Sequence, residues 1–246
     1  MSTQLPLLVF TMAGKYQRFR LFGNKIPKYL LPLGTETILS VILSEYIPLC
    51  SPKSFYLIAN KNDQIFYPIV KSILSNYNIS SKSLIYIDDT LTQLETALQV
   101  KDLLLPSQLS NPISFTNIDT VIRKRNSFFS SLVNCTPSQA VLDTFTARNP
   151  TYSYARISND NTLTDISDYH AISDSACSGL YGFSSLNHLL ALVNSPPHES
   201  SPMNFTAIYK KMLSLGDKVH CCHNPLPNET IVLGTPEEYI TNIHRF

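Results

Sequence analysis

The residues best suited to chemistry stand near the N-terminus. The apolar run Leu7–Met12 leads into Ala13-Gly14-Lys15-Tyr16-Gln17-Arg18-Phe19, and Ile26-Pro27-Lys28 follows. A loop that leaves a strand with a glycine among cations can hold a triphosphate. Backbone N–H groups approach the oxygens, and Arg and Lys offset their charge. The stretch is neither a GxGxxG pattern nor a Walker A loop. A plain strand-to-loop connection carrying two solvated cations has the same residues, and spacing alone does not choose between the two. Other clusters carry less. His220-Cys221-Cys222-His223 offers metal-ligand types, but adjacent cysteines on a strand point to opposite faces, so packing is expected there. Arg123-Lys124-Arg125 reads as a solvated loop. Ser178 and Ser184 show no His–Asp partners that would support a hydrolase triad. His188, His198 and His244 read as surface or packing residues.

The elements that must position these residues alternate in the first half. Leu7–Met12, Phe55–Ala59, Leu84–Ile87 and Ile113–Ile118 read as buried strands, the last ending at Asp119. Between them lie helical periodicities. One is capped by Thr35 and carries Ile38, Val41, Ile42 and Tyr46. A second follows Asn62 with Ile65, Phe66, Ile69, Val70, Ile73 and Leu74, with Pro68 near its first turns. A third spans Leu91 to Leu105. This alternation predicts an α/β fold: a mostly parallel sheet covered on both faces. Ligands in such sheets bind at strand carboxyl ends near a topological switch point, here the loop after Met12, the residues near Asp88, and Asp119. The second half predicts an antiparallel portion. Ala140–Phe145 and Tyr152–Ile157 alternate at period two, and a turn at Asn159–Asn161 links the latter to Leu163–Ile166. Ser178–Phe183 is a glycine-bearing strand. Helices are expected over Leu186–Val193 and Phe205–Leu215, joined by a polar linker, Asn194–Pro202. A strand, Thr230–Leu233, and a helix starting at Pro236 close the chain.

Composition excludes several classes. Hydrophobic residues make up 43% of the 246, enough for a core and against disorder. The net charge of +1 gives no electrostatic footprint for nucleic acid. No apolar run approaches the roughly 20 residues of a membrane span, so no membrane insertion is expected. Leu7–Met12 is too short for a signal-peptide core. The odd number of cysteines, 5, fits reduced thiols. These features predict a cytoplasmic protein.

Leu8-Val-Phe-Thr-Met-Ala-Gly14 through Arg18-Phe19, then Pro27-Lys28, resembles the signature of the sugar-phosphate nucleotidyltransferases. Thr92-Gln-Leu-Glu-Thr-Ala97 resembles their "GQAET" helix start near the nucleotide base. Thr116-Asn-Ile-Asp119 resembles the strand-end aspartate that holds Mg²⁺. Ile172–Phe183 resembles their "ISD…TGLYYF" strand on the sugar side, and Leu233-Gly-Thr-Pro-Glu-Glu-Tyr239 their "GTPEEY" element. The blocks stand in family order over almost the whole chain, closest in flavour to the small members that serve capsules and surface polysaccharides. The resemblance implies a single domain over 1–246: a Rossmann-like, GT-A-type three-layer fold, with a nucleotide-binding half over 1–120 and a smaller antiparallel sugar-phosphate-binding half over 121–246. It implies a nucleoside triphosphate and a sugar phosphate as partners, with a homo-oligomer left open. It implies Ala13, Gly14 and Gln93 at the nucleotide. Arg18 would hold the eventual pyrophosphate and Lys28 the α-phosphate and incoming phosphate. Asp119 would hold Mg²⁺, and Gly179 would let the sugar approach. The nucleophile is a phosphate oxygen already ionised at neutral pH, so no general base is needed.

Three positions depart from the family pattern. Tyr16 stands where a second small residue is usual, so its side chain is expected to point outward. Asp168-Tyr169 aligns with a Glu-Lys pair whose lysine meets the sugar phosphate; Arg156 or His170 would have to replace that cation. Val232 stands where many members carry a second metal aspartate, for which Glu229 or Asn228 would substitute. These departures keep two alternatives in view: a non-catalytic nucleotide-binding relative, and a glycosyltransferase of similar architecture. The latter usually shows Asp-x-Asp where this chain has Asn117-Ile118-Asp119.

Overall fold

The computed structural model describes residues 6–23, 25–196 and 202–246. The central part of the expected linker Asn194–Pro202, with His198, lies outside the described residues. In the first half the chain forms β1 (Leu7–Met12), α1 (Gln17–Leu21), β2 (Pro32–Leu33), β3 (Glu36–Thr37) and α2 (Ile38–Tyr46). Next come β4 (Phe55–Asn60), α3 (Tyr67–Asn76), β5 (Leu84–Ile87), α4 (Gln93–Leu98) and β6 (Ile113–Asn117). The remainder adds β7 (Thr120–Ile122), α5 (Asn126–Val133), β8 (Gln139–Thr146), β9 (Ser153–Ile157), β10 (Leu163–Asp168) and β11 (Ser175–Phe183). It ends with α6 (Leu186–Asn194), α7 (Phe205–Ser214), β12 (Lys218–Asn224), β13 (Thr230–Val232) and α8 (Pro236–Asn242).

Nine strands make one mixed sheet, ordered β10-β9-β11-β6-β1-β4-β5, with β8 paired to β11 and β12 to β8. Within it β6, β1, β4 and β5 run parallel. The antiparallel strand β11 joins them to the second half. This is the expected α/β, Rossmann-like, three-layer fold. Alternation fixes the layers. Leu8, Phe10 and Met12 face a core shared with α2, α3 and α5. Leu7 and Val9 face another built from α4, α6 and α7. Cys221 and Cys222 fall into opposite cores, and all five cysteines are free thiols, so the His-Cys-Cys-His stretch is packing.

Several helix expectations need correction. Thr37, not Thr35, caps α2, its hydroxyl accepting from the Ser40 N–H at 3.1 Å. The periodic stretch after Asn62 opens as 3₁₀ turns, and α3 begins only at Tyr67. Pro68 there lacks the N–H that a helix interior would use, so it sits in the first turn. Ile65 and Ile69 are consequently exposed. The helix expected over Leu91–Leu105 is α4 followed by a short 3₁₀ turn, and Leu105 is exposed. Arg123–Arg125 is a loop, but of its three side chains only Lys124 is solvated. The Arg123 Nε donates to Glu45 at 3.0 Å, and Arg125 is buried with its Nε on Asp143 at 2.8 Å.

Candidate active site

The chain places β4 and β5 on one side of β1, then crosses to place β6 on the other. The carboxyl ends of β1 and β6 are therefore the switch point, where connections diverge and leave a crevice. A cavity of about 620 Å³ opens there. The loop after β1 supplies Ala13, Gly14, Lys15, Tyr16, Arg18 and Phe19. The end of β6 supplies Asn117, Ile118 and Asp119, and the start of α4 supplies Gln93. Lys28 and Gly234 complete the wall. A second cavity of about 300 Å³ adjoins it and shares Arg18, Asn117, Asp119 and Gly234. Its other walls include Phe145, Tyr152, Tyr169, Val232 and Glu238.

Lys28 is nearly buried. Its Nζ donates to Asp119 Oδ2 at 2.7 Å and to the Gly234 carbonyl at 3.1 Å, and it stands 5.3 Å from the Phe19 ring centroid. Arg18 is exposed, lines both cavities and has no ion-pair partner among the described residues. It is thus available to an anion at the junction. Ala13 is buried, and its carbonyl accepts from Asn60 Nδ2 at 3.3 Å. Lys15 is instead engaged by Asp89 at 3.0 Å. Asp88, the other strand-end candidate, pairs with Lys61 at the surface and lines neither cavity.

Gln93 is oriented by a chain of bonds with one possible direction. The Thr11 hydroxyl donates to the Thr116 carbonyl at 3.0 Å, so its oxygen accepts from Gln93 Nε2 at 2.9 Å. The same Nε2 donates to Asn117 Oδ1. Both Nε2 hydrogens of Gln93 are thereby used within the protein, and Gln93 lines the larger cavity. The Asn117 amide nitrogen lies against Gly179, where a Cβ would stand 2.3 Å from it, and Gly179 has φ +90°. Gly179 makes room for Asn117 and is not among the residues lining either cavity. Replacing Gly179 with alanine combines left-handed strain with that overlap. We expect a loss of about 1–3 kcal/mol in denaturant unfolding, with weaker nucleotide binding because Gln93 loses its support.

Tyr16 corrects an expectation. Its side chain turns inward: the hydroxyl donates to the Met12 carbonyl, and its ring meets Tyr29 edge-on at 6.1 Å and lies 5.8 Å from Lys28 Nζ. The residue takes φ 49° to do this, and burial pushes its hydroxyl well above the usual tyrosine range. The loop is filled from within by its own ring, where a smaller residue would leave space.

The expected substitutes are not at the site. Arg156 pairs with Asp165 at 3.3 Å on the β9–β10 hairpin, and His170 bonds the Asp168 carbonyl in an exposed turn; neither lines a cavity. Glu229 pairs with Lys124, and Asn228 accepts from Arg245. The second carboxylate near Asp119 is Glu238: a Cβ on Gly234 would stand 3.2 Å from Glu238 Oε2 and 3.6 Å from Asp119 Oδ2. Glu238 is the third helical residue after the Thr235 cap and closes its capping box. The Thr235-x-x-Glu238 spacing was its sequence signal. Ser184 does have partners, Oγ to His188 Nδ1 at 3.0 Å and His188 Nε2 to Asp217 at 3.7 Å. None of the three lines either cavity, so they fasten α6 to the turn before β12.

Among the described residues no three His, Cys, Asp or Glu side chains converge as a protein-built metal cage. Asp119, with part of its carboxylate still solvent-accessible, fits the other common case: a Mg²⁺ ion held by one carboxylate and completed by phosphate oxygens and water.

No protein-family model matches the sequence, and no curated protein matches it. Solved structures do share the fold. The nucleoside-diphosphate-sugar pyrophosphorylase from Vibrio cholerae RC9 superposes with a TM-score of 0.77 at 22% identity, covering 98% of this chain and 100% of that one. The inositol-1-phosphate CTP transferase from T. maritima gives 0.74 at 11% identity over 99% and 96%. A UDP-glucose pyrophosphorylase complexed with UDP-glucose gives 0.74 at 14% identity over 98% of each chain. This chain thus has the fold of the sugar-phosphate nucleotidyltransferases from end to end.

Proposed function

We propose that this chain transfers a nucleotidyl group from a nucleoside triphosphate to a sugar 1-phosphate or a related phosphorylated compound. The products are the activated compound and pyrophosphate, for surface or capsular polysaccharide synthesis in the cytoplasm. One observation carries the reading: Arg18, Lys28 and Asp119 gather where two adjoining cavities meet. The larger takes the triphosphate, with Ala13, Gly14 and Gln93 along it. The smaller takes the acceptor.

An acceptor phosphate oxygen attacks the α-phosphorus. The bond from that phosphorus to the α–β bridging oxygen breaks, and its electron pair leaves with pyrophosphate. The protein's work is to hold two polyanions in line and offset their charge. Arg18, free at the junction, meets the leaving pyrophosphate. Lys28 reaches the α-phosphate and the incoming oxygen. Asp119 would hold Mg²⁺, which when bound supplies further charge neutralisation at the phosphate oxygens.

The test is pyrophosphate release from Mg²⁺, each of the four triphosphates and a pool of phosphate monoesters. We expect release with one preferred triphosphate, and a fall of about 10²-fold or more per folded molecule in Asp119→Ala, with thermal unfolding on the same preparation correcting for the stability lost when the nearly buried Lys28 ammonium keeps only the Gly234 carbonyl. Nucleotide binding without release from any acceptor would establish the non-catalytic reading instead.

A further inference from the structure

We infer that the acceptor is a phosphate monoester whose other end is a quaternary ammonium, seated in the smaller cavity against Phe145, Tyr152, Tyr169 and Glu238; this rests on the nucleotidyl-transfer reading.

Charge gives the first reason. Asp119 has Lys28 as its counter-ion. Glu238 has no ion-pair partner among the described residues. Its Oε2 accepts from the Thr235 N–H at 3.0 Å, which is the helix cap, and its Oε1 accepts from the Tyr152 hydroxyl at 2.7 Å, which the cap does not require. A carboxylate fixed in this way, in a cleft that must receive two polyanions, opposes binding. The opposition becomes attraction when the acceptor carries its own positive charge.

The wall supplies the second reason. Phe145 and Tyr152 meet at 47° with centroids 5.9 Å apart, an open corner and not a stacked pair. Tyr169 adds a third ring at the position where the resemblance expects a cation. It stays 69% exposed at φ 59°, a backbone conformation that costs a non-glycine residue energy. Val232 adds an apolar side. Aromatic faces backed by a carboxylate are a means of holding quaternary ammonium groups.

Hydrogen bonding supplies the third. Apart from Arg18, assigned above to the phosphates, and the exposed Tyr169, the polar side chains of this wall have partners within the protein. Asn117 Oδ1 accepts from Gln93, and the Thr151 hydroxyl donates to Asn149 Oδ1 at 2.8 Å. The Ser178 hydroxyl points to the Asp143 carbonyl at 3.4 Å, and the Thr235 hydroxyl accepts from the Glu238 N–H at 3.1 Å. Each hydroxyl of a buried sugar ring needs a partner. A trimethylammonium group needs none. The ammonium end is unchanged in the transfer, whose bonds form and break only between phosphate groups.

Two measurements test this together. Pyrophosphate release is followed with Mg²⁺, the four triphosphates, and phosphocholine, phosphoethanolamine or glucose 1-phosphate in separate reactions. The trimethyl proton resonance of phosphocholine is followed as protein is added. We expect kcat/KM for phosphocholine to exceed both others by about tenfold or more. We expect an upfield methyl shift from the aromatic rings, absent in Tyr169→Ala, where an exposed side chain is removed. Glu238→Gln should raise KM for phosphocholine about tenfold with KM for the triphosphate nearly constant. A preference for glucose 1-phosphate, or no methyl shift with the unaltered protein, overturns the ammonium site and leaves nucleotidyl transfer standing. A methyl shift without pyrophosphate release from any acceptor supports the ammonium site and removes the transfer reading.

Discussion

Lys28→Met is expected to lower kcat for pyrophosphate release by roughly 10²- to 10³-fold while the protein stays folded, the size of effect seen when one preorganised charge-stabilising group is removed. The structure sets that expectation in three ways. The ammonium is withdrawn from solvent, so its charge acts in a medium that screens poorly. Its place is fixed by Asp119 Oδ2, the Gly234 carbonyl and the Phe19 ring. It therefore needs little reorganisation during the reaction, which is what gives a fixed charge its effect on a transition state. Methionine keeps an unbranched stem and removes the ammonium together with its hydrogen bonds to Asp119 and the Gly234 carbonyl. Asp119, relieved of its partner, is accessible enough to be hydrated, so the folded state loses little. Single-turnover pyrophosphate release and thermal unfolding on the same preparation make the check. Turnover within threefold of the parent would remove Lys28 from the chemistry. An equal loss of folded protein would make the effect structural.

The sequence carried the strands better than the helices, for a physical reason. Leu7–Met12 and Phe55–Asn60 are buried on both faces, so their apolar runs have nothing to compete with. The helices after Asn62 and after Leu91 were over-read because apolar periodicity continues past the point where geometry stops it. Pro68 delays α3, and α4 relaxes to 3₁₀ after Leu98. That Arg18, Lys28 and Asp119 lie together was legible because strand ends and the spacing of the resembled signature locate them. Asn117 and Glu238 were not, since their parts depend on partners far away in sequence, Gln93 with Gly179 and Tyr152. Arg156 failed for the complementary reason. A cation on the correct strand says nothing about which sheet edge that strand takes, and β9 lies toward the far edge, next to β10. Tyr16 shows a bulky residue accommodated inward by a left-handed backbone, which residue size alone does not foretell.

Within the basic loop Arg123–Arg125 the buried Arg125 departs furthest from a solvated cation, and it predicts the largest effect on stability. Arg125 is 1% exposed. Its Nε donates to Asp143 Oδ1 at 2.8 Å, its Nη1 to the Arg123 carbonyl at 2.6 Å and its Nη2 to the Thr230 hydroxyl, tying the turn before α5 to β8 and β13. Asp143 is fully buried, and its Oδ2 has no hydrogen-bond partner among the described residues. Burial pushes its carboxyl up to about 6, with Arg125 pulling the other way. Arg125→Met strands that carboxylate, and a loss of about 3–5 kcal/mol is expected near neutral pH. The pH dependence has a definite sign. A folded-state pKa above the unfolded value of about 3.9 means that the folded chain binds the proton more tightly, so this group's contribution to stability falls as pH rises through about 6. Without Arg125 the folded value moves higher still. The deficit of Arg125→Met, read from urea midpoints, is therefore expected to shrink from about pH 7.5 to about pH 5. Adding Asp143→Leu removes the stranded charge and should recover most of the loss at about pH 7.5. A variant as stable as its parent at neutral pH, or a deficit that grows on acidification, would show that the pair does not hold these strands together.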